Sequence, residues 1–512
     1  MDRRSFLKTL GATAALGPAL CQCGKNRRKP NIIFILADDL GYGELGCYGQ
    51  EKIETPNIDS LAAQGMKFSQ FYSGAPVCAP ARCVLLTGKH SGHAFIRGNH
   101  EWSERGEVWD FAKAVENPAL EGQYPIPADT VTLGKVLQSA GYTTAIVGKW
   151  GLGAPLSEGI PNKQGFDFFY GYNCQRQAHT YFPKHLWKNQ EKVWLDNKLV
   201  VPRIPLPEGA DPYDPESYSD FWLQEYAPDL MFNEITSFVR NNRDHPFFLY
   251  WATPILHVPI QAPRRWVDYY VKKFGEEEPY TGDQGYYPHR YPRAAYAGMI
   301  SYLDEQIGFL HQQIKDLGLE KDTVFFFTSD NGPTFTGGAD SEWFDSARPF
   351  RSDRGRGKGS VYEGGIRVPL IAKWMDHITP QTESDLQAAF WDVLPTCCDL
   401  ANVLPPGDID GKSFLPTLWG KKQESVHEFL YWEFPSYGGQ QAVRMGKWKG
   451  IRQNLFKGEL DIALYDLEND IREENNVAAQ HPDIVERIRK IMEQEHQTPE
   501  IDRFKFAALG DK

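Results

Sequence analysis

Two acidic pairs that lie far apart in the chain end apolar runs of the same kind. Asp38-Asp39 follows the run 31–36, and Asp330-Asn331 follows the run 323–328. Three carboxylates and one carboxamide are hard oxygen donors, a set that suits Ca²⁺ or Mg²⁺ and not zinc. Either pair alone reads as a turn or a helix cap. Between them lies Cys78-Ala79-Pro80-Ala81-Arg82, followed by Thr87-Gly88-Lys89. On a helix Cys78 and Cys83 point apart, which argues against a bridge between them. The other cysteines are Cys21, Cys23, Cys47, Cys174, Cys397 and Cys398. Together the eight show neither paired zinc spacing nor a dense disulfide framework. Cys397 and Cys398 sit in an apolar helical pattern and read as core residues.

These groups need strands to hold them. A parallel strand buried on both faces reads as a near-continuous apolar run, and ligands gather beyond the carboxyl ends of such strands. The runs 31–36, 144–147, 246–251 and 323–328 have this form. They lead respectively to Asp38-Asp39, to Gly148-Lys149-Trp150, to Pro254 and His257, and to Ser329-Asp330-Asn331-Gly332. A further strand is expected at 368–373. Helices are expected at 58–64 before Gly65, at 131–140 before Gly141, and at 223–240 and 294–316. The alternation predicts an α/β fold with a large, mainly parallel sheet sandwiched by helices. Segments 202–220 and 273–292 read as loops. From about residue 420 the pattern changes to short strands at 428–434, 441–444, 448–452 and 464–467, then a helix over 481–495. This predicts a smaller antiparallel α+β subdomain over 420–512, after a main domain over 30–419 and a leader over 1–29.

The chain has 512 residues, 41% of them hydrophobic and 13% aromatic, enough for a large packed core. Its net charge of −12 argues against a nucleic-acid partner. An acidic protein that handles anions must concentrate positive charge locally, in a metal and a few lysines and arginines. Arg3-Arg4-Ser5-Phe6-Leu7-Lys8 is a twin-arginine pattern, and the apolar run 10–20 behind it is too short to span a membrane. Export to the periplasm or cell surface follows, either with a lipid anchor at Cys21 or Cys23 or with a plain cleaved signal in which these cysteines are incidental. Leu20, where a small residue is usual, departs from the lipobox pattern.

The cysteine motif resembles the C-x-P-[SA]-R signature of the type I sulfatases, members of the alkaline phosphatase-like superfamily. The resemblance extends from Pro30 to about Asn476 as an ordered set of landmarks. These are P-N-I-I-F-I-L-A-D-D at 30–39, T-P-N-I-D at 55–59, C-A-P-A-R at 78–82 and G-K-W at 148–150. His257 within P-I-L-H-V-P follows, then S-D-N-G at 329–332, G-K-G-S-V-Y-E-G-G-I-R-V-P at 357–369 and L-Y-D-L-E-N-D at 464–470. An unmodified Cys is a poor nucleophile for a sulfate ester. The resemblance implies that Cys78 is oxidised to formylglycine, whose hydrate has one hydroxyl to attack sulfur and another to expel sulfate. It also implies a formylglycine-generating or sulfatase-maturating enzyme as partner. Arg82 would then hold the hydrate, and Asp38, Asp39, Asp330 and Asn331, with residue 78, the metal. Lys149 and Lys358 would neutralise sulfate oxygens, and His257, an imidazole titrating near neutrality, would protonate the leaving alcohol.

Two positions depart from the family pattern. Ala81 stands where many members have Ser, so the maturing enzyme must tolerate Ala. Gly151 stands where many read G-K-W-H, which leaves the role of that His to another group; His179 is the candidate, as replacement or as sugar contact. His100 and Arg354 are further substrate-binding candidates, and His93 and Arg97 weaker ones. Segments 90–99 and 177–183, with aromatics such as Trp102, Trp109, Trp187 and Trp343, resemble bacterial glycan sulfatases. An exo-acting carbohydrate sulfatase is expected, with sulfated galactose or N-acetylgalactosamine as substrate. A phosphonate or phosphodiester hydrolase of the same superfamily, and an inactive glycan-binding lipoprotein with unconverted Cys78, are the alternatives.

Overall fold

The computed structural model describes residues 29–512. The twin-arginine leader and the candidate anchor residues Cys21 and Cys23 lie outside the described residues. Among the described residues no helix is long and apolar enough to cross a membrane.

Ten strands form the main sheet. In spatial order they are Thr382–Ser384, Met66–Phe68, Leu370–Trp374, Thr323–Ser329, Asn31–Ala37, Phe247–Ala252, Thr143–Lys149, Phe168–Tyr172, His185–Lys188 and Glu191–Trp194. The run from Thr323–Ser329 to Phe168–Tyr172 is parallel throughout. All its strands therefore end at one edge, which is where the candidate residues follow. Every residue of Asn31–Ala37, Phe247–Ala252 and Thr323–Ser329 is buried, as their apolar runs require. Successive side chains point to opposite faces. Ile32, Phe34 and Leu36 join a core that includes helices Cys78–Thr87 and Val393–Ala401. Ile33, Ile35 and Ala37 join the opposite core, with helices Ala227–Asn241 and Pro292–Asp316. The result is the expected α/β sandwich.

The structure differs from the sequence reading in detail. Leu370–Trp374 extends the sheet but runs antiparallel to Thr323–Ser329; a strand buried on both faces carries no mark of its direction. Segment 202–220 is not wholly loop. Pro215–Phe221 forms a 3₁₀ helix whose start is capped by the Asp214 side chain, which accepts from the Glu216 N–H. Helix Arg264–Phe274, which the sequence reading did not assign, carries Trp266, Val267, Tyr270, Val271 and Phe274 at helical spacing and packs them on the core.

The short strands Leu430–Phe434, Gln440–Met445, Trp448–Arg452 and Ala463–Asp466 form an antiparallel sheet. Helix Pro482–Gln494 covers one face, packing Ile488, Ile491 and Met492 on Tyr431, Val443 and Leu464. The other face, with Trp432, Ala442 and Ile451, merges with the main core. Trp432 Nε1 donates to the Ser73 carbonyl at 2.8 Å, and buried Lys449 pairs with buried Glu363 at 2.6 Å. The small sheet thus braces the segment that enters the cysteine helix and the segment that follows Lys358.

Gly148 is required where two parallel strands approach closely. Its φ is 122°, and a Cβ there would lie 1.9 Å from the Ala252 carbonyl oxygen on the neighbouring strand. Gly148→Ala is expected to cost at least about 3 kcal/mol, because strain and overlap add. Urea unfolding of the variant checks this, and a midpoint equal to that of the parent would refute it.

Candidate active site

The parallel register delivers the acidic pairs to one place. Ala37 lies opposite Ser329, so the next residues, Asp38 and Asp330, emerge side by side. The Asp330 N–H donates to the Ala37 carbonyl at 3.0 Å, and the Asp39 N–H to Asp330 Oδ1 at 3.1 Å. Asp39 has φ 65°, a left-handed conformation that a short polar side chain tolerates. It turns the chain sharply just past the strand.

Cys78 is the first residue of helix Cys78–Thr87 and is fully buried. Pro80 fits in the first turn, where backbone N–H groups have no partner within the helix. Arg82 lies one turn on, over the same face as Cys78. The entry to this helix is tied to the acidic loop, since Ser73 Oγ donates to the Asp330 carbonyl.

Cys78 Sγ lies 3.4 Å from Asp38 Oδ1, 3.4 Å from Lys149 Nζ and 3.6 Å from Lys358 Nζ. Lys149 Nζ donates to Asp38 Oδ2 at 2.6 Å, and Lys358 Nζ pairs with Asp39 Oδ1 at 2.6 Å. Arg82 Nη2 bridges Asp38 Oδ2 at 3.1 Å and Asp330 Oδ2 at 2.9 Å. Three carboxylates thus face three cations. A divalent ion added among the carboxylates would give the centre a net positive charge, as an anionic ligand requires.

Crowding shows in the proton affinities. Burial pushes the Cys78 thiol up to about 12, with the Asp38 charge adding to it, so the encoded cysteine is not a thiolate at neutral pH. Burial and the Asp38 charge push Asp330 up to about 6. Burial opposes the charge of Asp38 too, but Lys149 and Arg82 outweigh it and hold that carboxyl well below the usual range. Burial also opposes the charges of the two lysines, yet Asp38 and Asp39 keep both protonated.

The donors fit a hard cation. Oxygens of Asp38, Asp39 and Asp330 and the sulfur of Cys78 all lie within 4.8 Å of one another. Asn331 Nδ2 donates to Asp39 Oδ1 at 2.8 Å, which fixes its amide, and its Oδ1 is buried with no hydrogen-bond partner. An oxygen held free beside crowded carboxylates is what a Ca²⁺ or Mg²⁺ ligand needs.

His257 borders the same centre, with Nε2 at 3.9 Å from Asp39 Oδ2. Its Nδ1–H donates to the Val258 carbonyl at 2.6 Å, which leaves Nε2 as the free nitrogen. The expected titration near neutrality is not what the unliganded site provides. Burial, then the charges of Lys358 and Lys149, depress its pKa well below the ordinary value, and the ring is neutral. The His179 ring stacks on it, with centroids 5.3 Å apart and planes within 6°.

A cavity of about 210 Å³ opens beside these rings. His179, Gln175, Arg176, Asn99, Glu101 and Arg203 line it, with Trp109. Asn99 Oδ1 accepts from the N–H of Ala79, next to Cys78. Of the sequence-derived substrate candidates, only His179 is on this wall. The His100 ring packs on Phe504, and Arg354 lies over Phe335. Arg97 pairs with Glu433 and His93 with Asp410, away from the centre. Of the tryptophans, Trp109 alone lines the cavity, 64% exposed. At Gly151 a Cβ would meet Gln175 Nε2 at 2.6 Å. The Gln175 amide, not His179, therefore fills the space beside Gly151. Gln175, Arg176, Glu101 and Arg203 were missed in the sequence. The first two follow the end of strand Phe168–Tyr172, whose aromatic and glycine content hid it among loops.

Comparison with known proteins places the chain in a family. The Sulfatase family model matches residues 30–403, and the model for the N-sulphoglucosamine sulphohydrolase C-terminal region matches 356–498. The chain is 31% identical to human Arylsulfatase A over 475 residues, 86% of this chain and 78% of that one. It is 29% identical to the N-acetylgalactosamine-6-O-sulfatase of Bacteroides thetaiotaomicron, over 92% of this chain and 94% of the relative. Among solved structures, Ps i-CgsB in complex with k-i-k-neocarrahexaose superposes with a TM-score of 0.73 at 27% identity, covering 92% of this chain and 94% of that one. With the acidic quartet, the buried cysteine and its lysines on one sheet edge, the match along most of the chain identifies it as a member of the sulfatase family, a sulfuric ester hydrolase.

Proposed function

We propose that the protein removes sulfate esters from carbohydrates, acting on chain ends, with sulfated galactose or N-acetylgalactosamine as the favoured sugar. One observation carries this reading: a buried Cys78 held between Lys149 and Lys358 on one side and a carboxylate cluster on the other. The relatives named for N-acetylgalactosamine sulfate support the sugar class. The reading includes export, and maturation of Cys78 by a formylglycine-generating or sulfatase-maturating enzyme.

Formylglycine at position 78 would supply a hydrated aldehyde as nucleophile in place of a thiol that burial keeps protonated. A Ca²⁺ or Mg²⁺ held by Asp38, Asp39, Asp330 and Asn331 would polarise the sulfate and acidify the attacking hydroxyl. Lys149 and Lys358 stabilise charge on the sulfate oxygens as the S–O bond breaks. Arg82 keeps Asp38 and Asp330 together through its fork. His257 needs a proton on Nε2 to serve the leaving oxygen. A bound sulfate offsets the lysine charges that depress its pKa, so substrate itself raises the affinity of that nitrogen for a proton.

Protein from its native host should release sulfate from N-acetylgalactosamine 6-sulfate and should prefer aryl sulfates to aryl phosphodiesters. Chelation should lower the rate by at least about 100-fold and also lower the melting temperature, with Ca²⁺ restoring both. Phosphodiester turnover above sulfate turnover, or activity indifferent to chelation, would sink the proposal.

A further inference from the structure

The cavity beside the acidic centre carries more positive charge than one sulfate ester needs. Arg176 and Arg203 both line it, and among the described residues neither forms an ion pair. Arg176 is locked in place. Its guanidinium donates to the carbonyls of Val108 and Trp109 and lies 5.2 Å over the Trp109 ring. Burial, and then the charge of Arg203, disfavour its ionised form, except that Glu101 offsets part of this. Arg203 lies over the Tyr286 ring and has a left-handed φ of 69°, a conformation that costs a side-chain-bearing residue. Such strain persists where the surroundings hold it, often at a ligand clamp.

The acid on the same wall does not cancel these charges. Glu101 accepts from Gln123 Nε2 at 2.9 Å, and burial pushes its carboxyl up to about 8, so it is only partly ionised at pH 7. Two further polar atoms of the wall, Gln175 Nε2 and Gln123 Oε1, are buried with no hydrogen-bond partner. Leaving such atoms unpaired is costly, and sugar hydroxyls or an acidic substituent would satisfy them.

We propose that this cavity binds a second acidic group of the substrate, on the same sugar as the scissile sulfate or on its neighbour, through Arg203 and Arg176. The proposal deepens the carbohydrate reading above and rests on it. The sugar ring would lie along Trp109 and His179, with its ester toward Cys78 and its second anion toward the arginines. The volume is small beside the roughly 300–1,000 Å³ of sites that enclose drug-sized ligands, so it takes one ring with its substituents, or that ring with the acidic edge of its neighbour, and not a long chain. A guanidinium presents paired N–H donors that match two oxygens on one centre, whether a planar carboxylate or a tetrahedral sulfate, so the second group is a sulfate or a uronate carboxylate.

The test compares kcat/KM for three substrates: N-acetylgalactosamine 6-sulfate, its 4,6-disulfate, and the 6-sulfate linked to a hexuronate. The parent enzyme is expected to prefer one of the two doubly acidic substrates by at least about tenfold. Arg203→Gln should bring that ratio close to one, and Arg203→Lys should retain part of it, because a lysine cannot form the fork. A larger effect on the disulfate assigns a sulfate to the arginines, and on the hexuronate conjugate a carboxylate. A parent ratio near one, or a ratio unchanged in Arg203→Gln, overturns the proposal. Calorimetric binding of the three sugars to Cys78→Ala and to the Cys78→Ala, Arg203→Gln double variant gives a readout without turnover. If no sulfate ester is cleaved by the parent, the carbohydrate-sulfatase reading fails. The calorimetry still decides whether the arginines hold a second anion.

Discussion

Cys78→Ala is expected to lower kcat/KM on any sulfate ester by about 10⁴-fold or more while leaving the fold intact. The side chain is fully buried and small, and its removal takes little apolar surface out of the core, on the order of 1 kcal/mol. Its neighbours keep their own partners, since Lys149 remains on Asp38 and Lys358 on Asp39. A large loss of rate without a large loss of stability therefore marks a reacting group and not a packing residue. The companion measurement is the mass of the peptide that contains position 78, from protein made in its native host. An aldehyde there and a dead alanine variant together establish the nucleophile. An intact thiol, or an alanine variant within tenfold of the parent, would return weight to a glycan-binding role.

Arg82→Leu is the second large effect, and it is on stability. The guanidinium is buried between Asp38 and Asp330 and donates as well to the Lys149 carbonyl. Without it two buried carboxylates face each other across the site. Removing one partner of a buried ion pair costs about 3–5 kcal/mol, because the charges left behind stay desolvated. The pH dependence follows with a definite sign. In the variant the folded-state pKa of Asp330, already above the unfolded value, rises further, so the folded state binds more protons. The stability deficit therefore shrinks as the pH falls and grows as it rises. Asp330, already pushed up to about 6 with Arg82 in place, is the group expected to rise furthest. Urea unfolding in chelator at pH 5 and pH 8 measures this, and a deficit under 1 kcal/mol at pH 8 would refute the pairing argument. Added Ca²⁺ should recover part of the deficit, since a metal among the carboxylates replaces some of the lost positive charge.

The contrast between Asp38 and Arg203 separates what was legible in the chain from what was not. Asp38-Asp39 and Asp330-Asn331 could be found because each follows an apolar run long enough to mark a buried strand. Parallel strands in one sheet end on one side. Lys149 and His257 follow runs of the same form, so their convergence was implied by the same rule. The layered α/β architecture and the small antiparallel sheet were likewise written in periodicity and turn residues.

Arg203 and Arg176 carried no such mark. An arginine in a loop has the same local sequence whether water or a cavity surrounds it. Only the path of the chain around strand Phe168–Tyr172 brings Arg176, Arg203 and Glu101 to one wall. The direction of Leu370–Trp374 was hidden for a related reason, since burial on both faces removes the alternation that would report on its neighbours. The neutral state of His257 was hidden as well. Its type suggests titration near neutrality, but its burial and the two ammonium groups beside it come from distant parts of the chain. The sequence by itself marked the main elements, the acidic pairs and the cysteine motif, because these are local patterns. Tertiary structure alone decided proton affinities and the wall of the cavity beside the acidic centre, because both depend on desolvation and on charges brought together only by folding.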